Sequence, residues 1–298
     1  MWLTLSLTSA LLLGCYDVFK KFSLRGNAVL PVLFTAAIFG ALVFVPFLII
    51  AEVNPNAIPL LHMPHMTWEQ HALTLLKSTI VAASWVLSYY AMRYLPITIV
   101  SPIRATSPLL TLIGAVTLLG ETLNPIQWLG VAITVLAFWL FSKTGKLENI
   151  SFLRNKWIIC LYGGTFLAAI SGLYDKYLLG HLMIPKNTMQ AWFSIYIPVV
   201  LLPFLLLKWW PARRENKFVF RWTIPLIGIT LGFADFVYFY ALAEPDSLVA
   251  IVSALRRCSV VVPFFVGALF LGEQHVWRKF LILCGMLAGV AMIVLSSG

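Results

Sequence analysis

Charge is scarce in this chain. Asp, Glu, Lys and Arg make up 11% of its 298 residues, less than half of the roughly 25% usual in soluble globular domains. With 61% hydrophobic residues and a mean hydropathy of +0.92, that scarcity excludes a water-soluble fold. Cysteine is scarce too. Cys15, Cys160, Cys258 and Cys284 fall singly within apolar runs, so they read as packing residues, not as a disulfide framework or a thiolate metal site. No histidine sits in the middle of an apolar run, and His62-x-x-His65 lacks a neighbouring Cys or paired carboxylates, so it reads as solvated loop; neither metal nor cofactor is expected. The carboxylates within apolar runs, Asp17, Asp175 and Asp235, are scattered singly. That counts against a membrane-embedded enzyme on lipid-linked substrates, which needs a concentrated catalytic set. Acidic residues are half as common as basic ones, giving a net charge of +10. The basic residues gather in loops beside apolar runs, so the orientation rule of membrane proteins explains them without nucleic acid.

What the chain has in quantity is apolar runs of roughly 20 residues, the length that crosses a hydrocarbon core. They lie near 2–22, 29–51, 73–93, 97–119, 125–142, 157–179, 189–210, 222–243, 247–271 and 277–296. The pattern predicts an all-α membrane protein with ten transmembrane helices. The first run has no basic leader and no small-residue cleavage site, so it reads as a retained span and not a signal peptide.

One stretch occurs twice. Tyr90-Ala91-Met92-Arg93-Tyr94, then Arg104, then Leu119-Gly120-Glu121 returns as Tyr240-Ala241-Leu242-Ala243-Glu244, then Arg256, then Leu271-Gly272-Glu273. Arg and Glu keep the same separation, 121 − 104 = 17 and 273 − 256 = 17. Tyr16-Asp17 matches Tyr174-Asp175, and Pro46-Phe47-Leu48 matches Pro203-Phe204-Leu205. The chain therefore divides into two five-helix repeats, residues 1–148 and 149–298. An odd number of spans per repeat inverts the second copy, and the loops agree. The loop after the first span carries Lys20, Lys21 and Arg25, and the one after the second, residues 52–71, has no Lys or Arg; in the second half the loop after the seventh span is the basic one. The charge bias places both termini outside.

Ionisable groups inside a span are costly and mark functional sites by default. Leu13, Tyr16, Asp17 and Lys20 share one helical face, matched by Ser171, Tyr174, Asp175 and Leu178. Trp85, Ser88, Tyr89 and Met92 share another, matched by Asp235, Tyr238, Phe239 and Leu242. Arg104 and the pair Arg256-Arg257 supply cations from the fourth and ninth spans. Two readings stay open: these ions pair with one another to hold helix register, or they hold the carboxylate and ammonium of a small solute. On the second reading Arg104, Arg256 and Arg257 take the anionic group, Asp235 takes the ammonium or a coupling proton, and Trp85, Tyr89 and Tyr238 form the wall. Asp17, Asp175 and Lys20 are candidates for coupling or gating. Lys20 lies near enough to a span end to snorkel outward. Glu121 and Glu273 are either gating residues or carboxylates at the start of the next helix, which Asn124-Pro125 opens with cap chemistry.

The paired Tyr-Ala and Leu-Gly-Glu motifs, with Ser107-Pro108-Leu109 and Gln127-Trp128-Leu129-Gly130, resemble the EamA-type members of the drug/metabolite transporter superfamily over essentially the whole chain. The resemblance implies two inverted five-helix repeats around a central cavity and export of small metabolites by alternating access. It also implies cytoplasmic termini, against the charge bias. The second half departs from the family pattern, with Cys258-Ser259 and a displaced Pro263 in place of Ser-Pro. The expectation is a multi-pass transporter of the inner cell membrane that exports amino acids or similar polar metabolites, with protons as a possible coupling ion. Efflux of hydrophobic cations is the alternative, disfavoured by the buried arginines. The partners expected are a small solute and the bilayer; oligomeric state and substrate identity are not encoded in these patterns.

Overall fold

The computed structural model describes residues 2–54, 63–107, 109–110, 124–147, 154–243, 256, 258–272 and 275–296. Among these residues there is no strand. The helices are α1 Trp2–Leu24, α2 Val29–Val53, α3 Trp68–Tyr94, α4 Ile97–Ala105, α5 Pro125–Leu147, α6 Lys156–Lys176, α7 Lys186–Phe204, α8 Thr223–Ala243, α9 Val261–Phe270 and α10 Val276–Leu295. One π-helical turn prolongs α6 through Tyr177–His181 and another prolongs α7 through Leu205–Trp209. Helix is found at every predicted apolar run, with 97–119 and 247–271 described in part. Among the described residues, five stretches are long and apolar enough to cross a membrane: Leu3–Leu24, Val29–Val53, Trp68–Tyr94, Lys156–Leu179 and Lys186–Trp209. Shorter apolar helices cover Pro125–Ala137, Thr223–Tyr238 and Cys258–Phe270.

Side-chain chemistry sets the helix starts. Thr67 Oγ1 accepts from Gln70 N at 3.3 Å while Gln70 Oε1 accepts from Thr67 N at 3.0 Å, which closes a capping box on α3. Asn124 and Gln127 make the same reciprocal pair before α5, as the Asn124-Pro125 signal predicts. Asn155 caps α6 through Trp157 N at 2.9 Å.

Polarity is distributed inside out relative to a soluble bundle. Leu3, Leu7 and Leu11 of α1 are about half exposed, whereas Ser6 and Ser9 on the other face are fully buried. An apolar exterior costs nothing in lipid, so helix association falls to close packing and hydrogen bonds between small residues. Ser9 Oγ donates to Ala234 O at 2.7 Å, joining α1 to α8, and Ser84 Oγ donates to Gly164 O at 2.7 Å, joining α3 to α6. Positions 84 and 234 are separated by 234 − 84 = 150, the offset that relates Tyr90 to Tyr240. Gly228 of α8 meets the backbone of Ala36 and Gly40 on α2, and Gly289 of α10 meets Gly130 and Thr134 on α5.

The chief packing partners follow one rule. α1 packs chiefly on α8, α3 on α6 and α5 on α10, with α2 touching α7 and α8, α3 touching α7, and α9 touching α1 and α4. Exchanging α1 with α6, α2 with α7, α3 with α8, α4 with α9 and α5 with α10 turns the largest of these contacts into one another: α1–α8 becomes α6–α3, α2–α8 becomes α7–α3, and α1–α9 becomes α6–α4, which also touch, whereas the smaller α1–α3, α2–α3 and α4–α10 contacts are not repeated to the same extent.

Two basic residues assigned above to the first loop belong to α1. Lys21 Nζ donates to Met92 O at 2.9 Å and Leu95 O at 2.5 Å, holding the negative end of α3. Lys20 does not snorkel; it is 1% exposed and turned into the bundle. Only Arg25 of the three remains beyond the helix, so the charge contrast between loops is weaker than the sequence suggests.

Beside it, Asn27 clasps the chain ahead of α8. Its Nδ2 donates to Val219 O at 2.7 Å, and its Oδ1 accepts from Val219 N and Ala28 N, each at 2.9 Å. Asn27→Ala leaves three backbone groups without these partners, a loss of about 2–3 kcal/mol at roughly 1 kcal/mol per bond. The expected result is a lowered thermal midpoint in detergent, with Asn27→Asp, which keeps the acceptor alone, falling between the variant and the parent.

Candidate functional site

Two cavities lie side by side within the bundle. The polar one, about 330 Å³, is lined from α1 by Leu13, Tyr16 and Asp17, from α3 by Ser84, Trp85 and Ser88, from α4 by Ser101 and Arg104, from α6 by Gly164, Thr165 and Ala168, from α8 by Tyr238, and by Arg256, Ser259 and Val260 ahead of α9. The apolar one, about 220 Å³, shares Tyr16 and Trp85 as a common wall. It opens where α2 presents Ala36, Ala37, Gly40 and Ala41 and α8 presents Gly228 and Gly232. Small residues on both helices let α2 and α8 approach closely along this wall.

Asp17 Oδ1 accepts from Arg104 NH1 at 2.6 Å and from Lys20 Nζ at 2.8 Å. Lys20 Nζ also lies 4.2 Å from the Tyr16 ring centre and 5.0 Å from that of Tyr89. Lys20 therefore backs Asp17 from the protein side and lines neither cavity. Arg256 pairs with Asp235 through NH2, and its guanidinium lies 4.2 Å over the Tyr238 ring. This pair forms part of the partition, because Arg256 lines the polar cavity and Asp235 the apolar one. Two polar groups in the polar lining, Ser101 Oγ and Arg256 Nε, are buried without a hydrogen-bond partner among the described residues. Leaving such a group unpaired costs about 1–3 kcal/mol, a cost that structures retain where a ligand or water completes the bond.

The sequence-derived residues thus separate into two groups. Asp17, Trp85, Arg104, Tyr238 and Arg256 meet at the polar cavity; Tyr89, Asp175 and Asp235 line the apolar one, together with the shared Trp85. Arg257, Glu121, Glu273 and His62 lie outside the described residues. Asp175 does not pair with an arginine. Its partner is Lys77 of α3, at 2.7 Å. Equivalent carboxylates therefore have different partners, because position 178, the counterpart of Lys20, is Leu178, and the counterpart of Asp235 is Trp85. Lys77 escaped the sequence reading although a lysine one turn inside an apolar run is itself a signal. Ser101 carries no signal of its own, since an isolated serine in a helix is ordinary.

Residues 1–143 match the model of the EamA-like transporter family. That bears out, over the residues that hold the first copy of the repeated motif, the resemblance to a family of transporters within the drug/metabolite transporter superfamily. No curated protein matches the chain. A solved structure described only as "Crystal structure of protein" superposes with a TM-score of 0.57 at 15% identity, covering 98% of this chain and 97% of its own. At that identity the likeness is one of fold.

Proposed function

We propose that this chain, whose residues 1–143 belong to the EamA-like transporter family, exports a small metabolite bearing an anionic group, an amino acid or a similar solute, across the inner cell membrane. The observation that carries the reading is the lining of the polar cavity. Among its described residues, two guanidiniums, Arg104 and Arg256, face it with one carboxylate, Asp17. A guanidinium stays charged at any physiological pH and offers a planar fork to a carboxylate. Arg104 and Lys20 share Asp17 while Arg256 is held by Asp235, so three cations meet two carboxylates; an anionic group there balances the third and gives Arg256 Nε and Ser101 Oγ an acceptor.

The two arginines occupy equivalent positions of the repeat, one from residues 1–148 and one from 149–298. The exchange relation among helix contacts supports two inverted five-helix repeats, ten spans in all, that rock about this cavity. Proton coupling through the buried carboxylates is part of the proposal.

The test is a thermal-shift screen of the purified protein against amino acids, organic acids, sugars and cationic dyes, followed by flux into proteoliposomes. Carboxylate-bearing solutes are expected to stabilise the protein by mass action, and the stabilisation is expected to vanish in Arg256→Ala. Stabilisation by dyes alone, unchanged in that variant, selects cation efflux instead. Flux insensitive to pH and to uncoupler removes proton coupling.

A further inference from the structure

Arg93-Tyr94 of the repeated motif line neither cavity. They close α3, and the second copy of the motif has Ala243-Glu244 in their place. The Tyr94 ring stacks on that of Trp157, the second residue of α6, with ring centres 4.0 Å apart and planes 12° from parallel. Arg93 Cζ lies 5.2 Å from the Tyr94 ring centre, and Lys156 Nζ lies 4.8 Å from that of Trp157. The contacts therefore run in series from a cation through two rings to a second cation. Among the described residues neither cation is paired with a carboxylate.

This junction is anchored to the bundle. Arg93 NH1 donates to Asn216 Oδ1 at 3.3 Å and Trp209 Nε1 donates to Asn216 O at 2.8 Å, which ties the connector between α7 and α8 to the end of α3. The connector, residues 210–222, brings Arg213, Arg214, Lys217 and Arg221 against the one carboxylate of Glu215. Trp210, Phe220 and Trp222 are exposed, and such rings gather where headgroups meet hydrocarbon. Further along α6 the exposed side chains are Ile159 and Phe166, apolar surface suited to acyl chains. Cations at headgroup level above an apolar track match a lipid phosphate with its tails.

We propose that the junction of α3, α6 and the α7–α8 connector binds the headgroup of an anionic phospholipid, with Arg93 and Lys156 on its phosphate and Tyr94 and Trp157 against its glycerol backbone. A guanidinium offers a fork to phosphate and an ammonium a point charge, so the two cations suit one group. α3 and α6 come from different halves of the chain, and one bound lipid holds both. The site serves a single leaflet, since the connector from α2 to α3, residues 54–67, has no Lys or Arg.

The test is native mass spectrometry of the delipidated full chain in detergent, offered equal amounts of phosphatidylglycerol and phosphatidylcholine. The parent is expected to retain phosphatidylglycerol in preference. Arg93→Gln combined with Lys156→Gln is expected to lower the ratio of the two retained lipids about 30-fold, the effect of two cations beside an anionic surface. Lys156→Gln alone, at an exposed side chain, is expected to lower it about fivefold, and it keeps the test decisive if the double variant does not fold. Arg213→Gln with Lys217→Gln removes the same charge from the connector and is expected to leave the ratio within about twofold. The site is overturned by a parent without preference, by a ratio that holds within about twofold in the Lys156 variant, or by an equal fall in the connector variant. Displacement of the bound lipid by excess glycerol 3-phosphate overturns it too, because the ligand is then a soluble phosphate.

Discussion

Arg104→Gln is expected to weaken binding of a carboxylate-bearing solute by about 30- to 150-fold, taking about 2–3 kcal/mol for a charge-assisted hydrogen bond and ~1.4 kcal/mol per factor of ten. The substitution removes one of two guanidiniums that line the polar cavity. It leaves Asp17 with Lys20 at 2.8 Å, so the buried carboxylate keeps a cation and the bundle keeps its register. Arg256→Gln, by contrast, takes from Asp235 the one cation recorded beside it among the described residues, and there the binding defect comes with a loss of stability. Binding isotherms and thermal midpoints measured on both variants separate the effects. An Arg104→Gln protein that binds the solute within about twofold of the parent rules out a role for that guanidinium in recognition.

Gly228→Leu is expected to give a large loss of stability. A Cβ at this position runs into the carbonyl oxygen of Ala36 and the nitrogen of Gly40, and backbone on α2 cannot step aside as a side-chain tip can. α2 and α8 must separate, opening the wall of the apolar cavity that both helices form. Overpacking costs about 1–3 kcal/mol and occasionally more, and backbone obstruction puts this site at the upper end. The measurement is the thermal midpoint in detergent with the elution profile beside it. Gly40→Ala is the paired control: its Cβ meets Gly228 at 3.7 and 3.8 Å, an ordinary contact. Alanine also gains about 1 kcal/mol of helix propensity over glycine, so that variant is expected to match or exceed the parent.

The helices and their starts were legible because each rests on a local signal. An apolar run of membrane length marks a helix, and the reciprocal side-chain bonds of Asn124 with Gln127 mark where one begins. Arg104, Arg256, Asp17 and Trp85 could be assembled from the sequence because the repeat places them at related positions, and they do share one cavity. The pairing of charges was not legible. Repeat logic gives Asp17 and Asp175 the same role, yet the first is held by Arg104 and Lys20 and the second by Lys77. Partner choice depends on which cation lies across a helix interface: the second half has Leu178 at the Lys20 position, and its Arg256 is held by Asp235, where the first half has Trp85. The apolar cavity was invisible for a related reason. Its lining comes from α1, α2, α3, α6, α7 and α8, helices far apart in sequence.

The crossed pairing of helices has a consequence for biogenesis. α1 ends at residue 24 and α8 begins at residue 223, so 222 − 24 = 198 residues separate the first helix from its chief neighbour. α3 likewise meets α6 only after α4 and α5 have been made. The ribosome therefore delivers helices whose polar seams, with Ser9 on α1 and Ser84 on α3, face lipid or transient neighbours until the later segments arrive. Insertion and folding are separate events for this chain, and a nascent polypeptide halted after α5 has its spans in the bilayer with neither α1 nor α3 yet docked on its chief partner.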